Sequence, residues 1–253
     1  LKMFLENGAR RLVFEGRECG GHIGPRTSFV LWNLMTEILL ETLPPDEAAK
    51  CHVLFAGGIH DALSSAMVAA LAAPLAERGI RIGVLLGTAY LFTQEAVATE
   101  AIVADFQETA LQCRRTVELA SGPGHITRCA VTPYTEAFRR EKRRLVAERK
   151  SPEDMQHTLE TLNLGRLRIA AKGVTRHPDY GSDSQIPKYK ILAKAERYTK
   201  GLYMIGQVGA LRDRTCTIAN LHHEISVKGS QRLADLNQPT LSRVSRRNPA
   251  LSS

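Results

Sequence analysis

Three short apolar runs, residues 12–14, 51–56 and 82–86, are each followed within two residues by glycine: Gly16, Gly57-Gly58 and Gly87. Runs of this length are too short for buried helices and fit strands buried on both faces, as in a parallel sheet. Helical patterns separate them. Residues 28–43 place Val30, Leu31, Leu34, Ile38 and Leu39 three and four apart and stop at Pro44-Pro45. Residues 62–77 are alanine-rich, with Asp61 as a cap and Arg78-Gly79 as the stop. A further helix is expected over residues 94–104. Strand, helix, strand, helix predicts an α/β fold with a parallel sheet. The repeated glycines fall where such folds bind ligands, just beyond the carboxyl ends of the strands.

Composition narrows the function class. With 253 residues, 43% hydrophobic and 24% charged, the chain is an ordinary globular one. Its longest charge-free stretch, residues 62–76, is interrupted by Pro74 and is shorter than the roughly 20 residues of a membrane span. The five cysteines are odd in number and never form CxxC, which fits a reducing compartment. No charged and apolar leader precedes the first strand, so a cytoplasmic location is expected.

The net charge of +8 is unevenly spread. Residues 1–125 carry 10 Lys and Arg against 14 Asp and Glu, or −4, leaving 24 against 12, or +12, for residues 126–253. These cations lie among helices with few aromatics between them, which argues against nucleic-acid binding. Beyond Asp105 the alternation fades. A strand is expected at 125–131 after Gly122-Pro123-Gly124, then a charged helix at 134–150, a helix starting at Ser151-Pro152, a loop at 175–188 and a packed element at 200–211. From Gln231 the sequence reads as a poorly ordered tail.

The chemistry sits in the three loops. His22, on the first, can move protons near neutral pH, which makes it a candidate general base; the alternative is a histidine that only caps the loop. Gly57, Gly58, Gly87 and Thr88 leave backbone N–H groups unobstructed, and the helix after Asp61 would add a favourable dipole for an anion. Adjacent strand ends of this kind can share one phosphate. No histidine or cysteine cluster has metal-ligand spacing, so no metal site is expected.

The ordered set Glu18-Cys19-Gly20-Gly21-His22, Phe55-Ala56-Gly57-Gly58-Ile59 and Gly87-Thr88 resembles the 2-nitropropane dioxygenase family, the FMN-dependent nitronate monooxygenases and related flavin enoyl reductases. The fuller stretch from Gly16 to Arg26 looks most like members embedded in polyketide and polyunsaturated fatty acid synthases. The resemblance implies the last three βα units of a TIM (β/α)8 barrel over residues 1–105, a mainly helical basic extension over 106–230 and a tail over 231–253. It implies FMN as cofactor, with Gly20 and Gly21 near the flavin ring, Gly57, Gly58, Gly87 and Thr88 on its phosphate, and His22 as the base. Two motifs depart from the family pattern: Cys19 replaces alanine, and Ala89-Tyr90 replaces arginine-phenylalanine. Because the first five strands would lie upstream of Leu1, the chain is expected to be the C-terminal part of a longer protein. The implied activity is an oxidoreductase of the nitronate monooxygenase type acting on a small molecule. One alternative is an enoyl reductase module acting on an acyl thioester, with a nicotinamide as reductant. The other is a non-catalytic scaffold whose basic half docks an acyl carrier domain.

Overall fold

The computed structural model describes residues 1–182 and 185–236. The first helix, α1 (Lys2–Glu6), leads into strand β1 (Arg11–Glu15), a short strand β2 (Gly21–Ile23), α2 (Ser28–Thr42) and the single turn α3 (Pro45–Ala48). Then come β3 (His52–Ala56), α4 (Ala62–Glu77), β4 (Arg81–Leu85), a 3-10 turn at Thr88–Phe92, α5 (Gln94–Ala98) and α6 (Ala104–Leu111). The strands β1, β3 and β4 form a parallel sheet in that order, with Arg11, His52 and Arg81 in register at one end and Glu15, Ala56 and Leu85 at the other. The three expected strands are therefore present within one residue of their expected bounds. The expected helix at 94–104 is instead two helices, broken where Glu100 takes a positive φ of 57°.

One face of this sheet is dry. Phe14, Val53 and Phe55 pack against Trp32 and Leu39 of α2 and Leu75 of α4. The Phe55 ring meets Phe14 edge-on at 5.9 Å and Trp32 at 5.7 Å, and the Trp32 indole N–H donates to the Phe14 carbonyl at 3.0 Å. Alanines at 62, 66 and 72 are the buried small residues of α4, and they let it lie close to the sheet. The opposite face stays open, with Val13 51% and Leu85 43% exposed.

A second sheet is antiparallel, in the order β2, β6 (His125–Ala130), β5 (Thr116–Gly122). Residues 106–230 are thus less uniformly helical than expected. The β5–β6 hairpin, closed through Gly124 at φ 74°, recruits β2 directly from the first glycine loop. Around it fold α7 (Pro133–Ala147), α8 (Pro152–Asn163) and α9 (Arg166–Lys172), then the hairpin of β7 (Val174–Arg176) and β8 (Tyr189–Ile191), and α10 (Lys194–Lys200). The Ser151 hydroxyl accepts the Asp154 N–H and caps α8, as its sequence predicts.

The expected packed element at 200–211 is an extended, buried segment ending in a 3-10 turn at Gln207–Ala210, with Leu202, Tyr203 and Ile205 almost fully enclosed. After α11 (Ile218–His223) and a π-helical turn at Glu224–Lys228 comes α12 (Gly229–Leu236), which packs on α4. Residues 231–236 of the expected tail are instead the end of this helix, which Gly229 is small enough to bring against Ser65. Residues 237–253 of that expectation lie outside the described residues. No helix among the described residues is long and apolar enough to cross a membrane.

Replacing Phe55 by Ala should destabilise the protein by about 3–5 kcal/mol, the cost of emptying a fully enclosed aromatic site. Chemical denaturation read by Trp32 fluorescence checks this, since the indole packs on the ring that is removed.

Candidate functional site

The carboxyl ends of β1, β3 and β4 open into a cleft of about 400 Å3 lined by Glu15, Glu18, Cys19, Gly20, Gly57, Gly58, Gly87, Thr88 and the side chains of Leu91, Met204 and Val208. That volume falls within the roughly 300–1,000 Å3 of small-ligand sites. Gly57 and Gly58 hold φ values of 124° and 78°, which side-chain-bearing residues rarely adopt, and a Cβ on Gly57 would sit 2.3 Å from Ser28 Oγ. Gly87 differs: its surroundings are open, with no atom within 4 Å of where a Cβ would stand. Among the described residues no acceptor takes the N–H of Gly57, Gly58, Gly87 or Thr88.

The helix dipoles do not serve this site as the sequence predicts. Asp61 Oδ1 accepts the Ser64 N–H at 2.8 Å while Ser64 Oγ accepts the Asp61 N–H, a closed capping box that uses the start of α4. Glu18 does the same for α2: its Oε2 accepts the Ser28 N–H at 2.7 Å and bonds the Ser28 hydroxyl. Both helix starts therefore already face a carboxylate. Among the described residues no lysine, arginine or histidine lines the cleft, so an anion there would meet the loop N–H groups and the Thr88 hydroxyl.

Three of the predicted binding positions do other work as well. Gly20 lines the cleft, but a Cβ there would lie 2.6 Å from the Gly206 nitrogen, so its smallness serves a backbone crossing. Thr88 Oγ1 accepts the Gly206 N–H at 2.8 Å. Gly21 belongs to β2, at φ 91°, and does not line the cleft. His22, next on β2, is exposed and opposite Thr127 of β6, also outside the cleft lining.

Glu15 and Glu18 are cleft residues to which sequence reasoning assigned no role. Their signal was positional: each sits within three residues of a strand end that carries glycine. Met204 and Val208 had no local signal, because the segment that brings them is more than a hundred residues away in sequence. The Cys19 thiol is pushed up to about 12 by burial, with the neighbouring Glu15 carboxylate adding to the shift. It is therefore a neutral thiol and not a nucleophile. Cys51, Cys113 and Cys129 are buried as expected of small apolar residues, whereas Cys19 and Cys216 are only half-buried.

The first loop is pinned from outside the cleft. Arg17 forks onto Glu118 of β5 at 2.9 and 2.6 Å, and Arg128 of β6 donates to the same carboxylate at 2.6 Å and to the Arg17 carbonyl at 2.9 Å. The hydrogen bond from Arg17 holds Glu118 below the ordinary carboxylate range, against a smaller opposing effect of burial, and Arg128 adds to it.

No known family profile matches the chain, and no curated protein matches it in sequence. Its fold is similar to that of FabK from Thermotoga maritima, a TIM-barrel protein, with a TM-score of 0.62, 21% identity and coverage of 93% of this chain and 59% of that one. A point mutant of the same FabK gives a TM-score of 0.57 at 21% identity, over 93% of this chain and 57% of that one. The chain thus spans about three fifths of the length of the FabK it matches.

Glu118→Gln should cost roughly 2 kcal/mol at neutral pH, less than the 3–5 of a fully enclosed pair because Glu118 is 26% exposed. A depressed carboxylate stabilises the fold above its ordinary value near about 4.3 and loses that contribution as the pH falls through its folded value. The stability gap between wild type and variant should therefore close on acidification below about pH 4. Urea midpoints measured across that range check it.

Proposed function

We propose that the chain carries the phosphate-binding part of a flavin-dependent oxidoreductase with FMN as cofactor. One observation carries the reading: Gly57, Gly58, Gly87 and Thr88, whose backbone N–H groups have no acceptor among the described residues, line one cleft at the carboxyl ends of parallel strands. The donor set fits a single phosphate. Gly57 and Gly58 keep the loop bare, and the open space at Gly87 gives an oxygen room to approach.

Of the two activities expected, reduction of an enoyl thioester is put first and nitronate oxidation second, the reverse of the order read from sequence. Support for this order is the likeness to FabK, which is an enoyl-ACP reductase. An acyl carrier domain is the proposed partner, docking on the basic half of the chain, whose charge would steer an acidic protein.

Bound FMN would supply the redox chemistry. The chain's own part is to hold the phosphate on the four N–H groups and to keep the apolar wall of Leu85, Leu91, Met204 and Val208 against the body of the ligand. Glu18, fixed on Ser28, sets the spacing between the first glycine loop and α2. His22, on β2 and outside the cleft lining, is proposed to hand a proton to or from the substrate at its imidazole nitrogen.

Gly87→Val tests the phosphate site without disturbing the fold, since the φ of Gly87 is −106° and nothing stands where the side chain begins. It should weaken FMN binding at least tenfold in a flavin-fluorescence titration, with the thermal midpoint unchanged; unchanged binding would remove the phosphate from these loops. His22→Ala should leave that titration alone and lower turnover of an enoyl thioester with reduced nicotinamide by roughly 100-fold. Turnover equal to wild type would take His22 out of the mechanism.

A further inference from the structure

A pocket of about 250 Å3 lies apart from the cleft and shares none of its lining residues. It forms where Thr109 of α6, Gln112, Arg114 and Arg115 in the link to β5, Val131 just beyond β6 and Tyr198 of α10 come together. Among the described residues no carboxylate lines it. The two acids of α6 are already paired: Asp105 meets Arg197 at 2.8 Å and Glu108 meets Lys194 at 2.6 Å. The guanidinium groups of Arg114 and Arg115 make no ion pair or hydrogen bond among the described residues, and the Gln112 side chain and Tyr198 hydroxyl make no hydrogen bond there. On a convex surface two such cations would be met by water and salt. In a concavity walled by α6, α10 and the ends of β5 and β6 their potentials add without a counter-charge, which draws an anion.

The donors and the volume narrow the class of anion. Guanidinium forks bind phosphate and carboxylate alike, but a phosphate monoester brings nearly two negative charges to two arginines where a carboxylate brings one. The pocket is smaller than the roughly 300–1,000 Å3 of sites that enclose a whole ligand, so it suits one phosphate on a short body. We propose that this pocket binds a small phosphate monoester, with Arg114 and Arg115 meeting its charge and the Gln112 amide and Tyr198 hydroxyl donating to its remaining oxygens. A phosphate held there would tie α6 and α10 to the antiparallel sheet, whose Glu118 and Arg128 hold the first glycine loop. The site stands whether or not the cleft holds a flavin.

The test uses the full chain carrying Gly87→Val, which removes the phosphate seat proposed for the cleft and touches nothing in this pocket. It is titrated by calorimetry with inorganic phosphate, glycerol phosphate and acetate, with chloride holding the ionic strength constant. Both phosphates should bind, acetate at least tenfold more weakly, and saturating phosphate should raise the thermal midpoint. Arg114→Gln and Arg115→Gln added to this chain should each weaken phosphate roughly tenfold or more, the loss of a hydrogen-bonded charge. Arg115→Lys keeps the charge without the fork and should fall between, which preserves the test if the glutamine variants misfold by circular dichroism. Absence of phosphate binding, acetate bound as tightly as phosphate, or affinity unchanged by these arginine substitutions would overturn the site.

Discussion

The cleft depends on a backbone crossing. The extended segment before Gln207 passes so close to the first glycine loop that Gly20 and Gly206 each lack room for a Cβ, with 2.6 Å to the Gly206 nitrogen from one side and to the Glu18 carbonyl from the other. Hydrogen bonds lock the crossing at its edges: the Gln207 N–H donates to the Glu18 carbonyl, the Gly206 N–H to Thr88 Oγ1, and the Ala130 N–H to the Tyr203 carbonyl. One strip of chain thereby joins the loop after β1, the turn after β4 and the antiparallel sheet. Without it, the parallel sheet would end in three unrelated loops, and Met204 and Val208 would not wall the cleft.

The second determinant is where the carboxylates go. Asp61 and Glu18 occupy the starts of α4 and α2, so two helix dipoles that elsewhere attract phosphate are already neutralised here. On the proposed reading, anion recognition would fall to the bare amides of Gly57, Gly58, Gly87 and Thr88, which would act by geometry more than by net charge. Such donors select a tetrahedral oxyanion at one spot and attract little at a distance. The cluster of Arg17, Glu118 and Arg128 complements this by fixing the loop from its far side, away from any ligand.

What the sequence made legible follows from the range of the interactions. β1, β3, β4, α2 and α4 are written in local periodicity and in punctuation by Gly, Pro and Asp, and each is found within a residue or two of its expected bounds. The glycines of the cleft were legible for the same reason. The β5–β6 hairpin was half-read, because Thr116-Val117-Glu118-Leu119 alternates too weakly to stand out, and β2 was unreadable because three residues become a strand only when β6 is there to pair with them. The dual use of Gly20 and Thr88 was also hidden, since it depends on a segment far along the chain. Asp61 was correctly read as a cap, and its carboxylate, which takes the Ser64 N–H, opposes the dipole that the same reading offered to an anion.

The open face of the parallel sheet bears on how the site is completed. Val13 and Leu85 are about half exposed, and Arg11, His52 and Arg81 stand in register across the same face at the end away from the cleft. A sheet whose other face buries Phe14, Val53 and Phe55 without loss is already stable on that side. The open face contributes little to folding and is free to be shaped by what it meets. The division of labour is physical: α2 and α4 hold the sheet from one side, the Gly20–Gly206 crossing holds the loops at its edge, and the remaining face stays open.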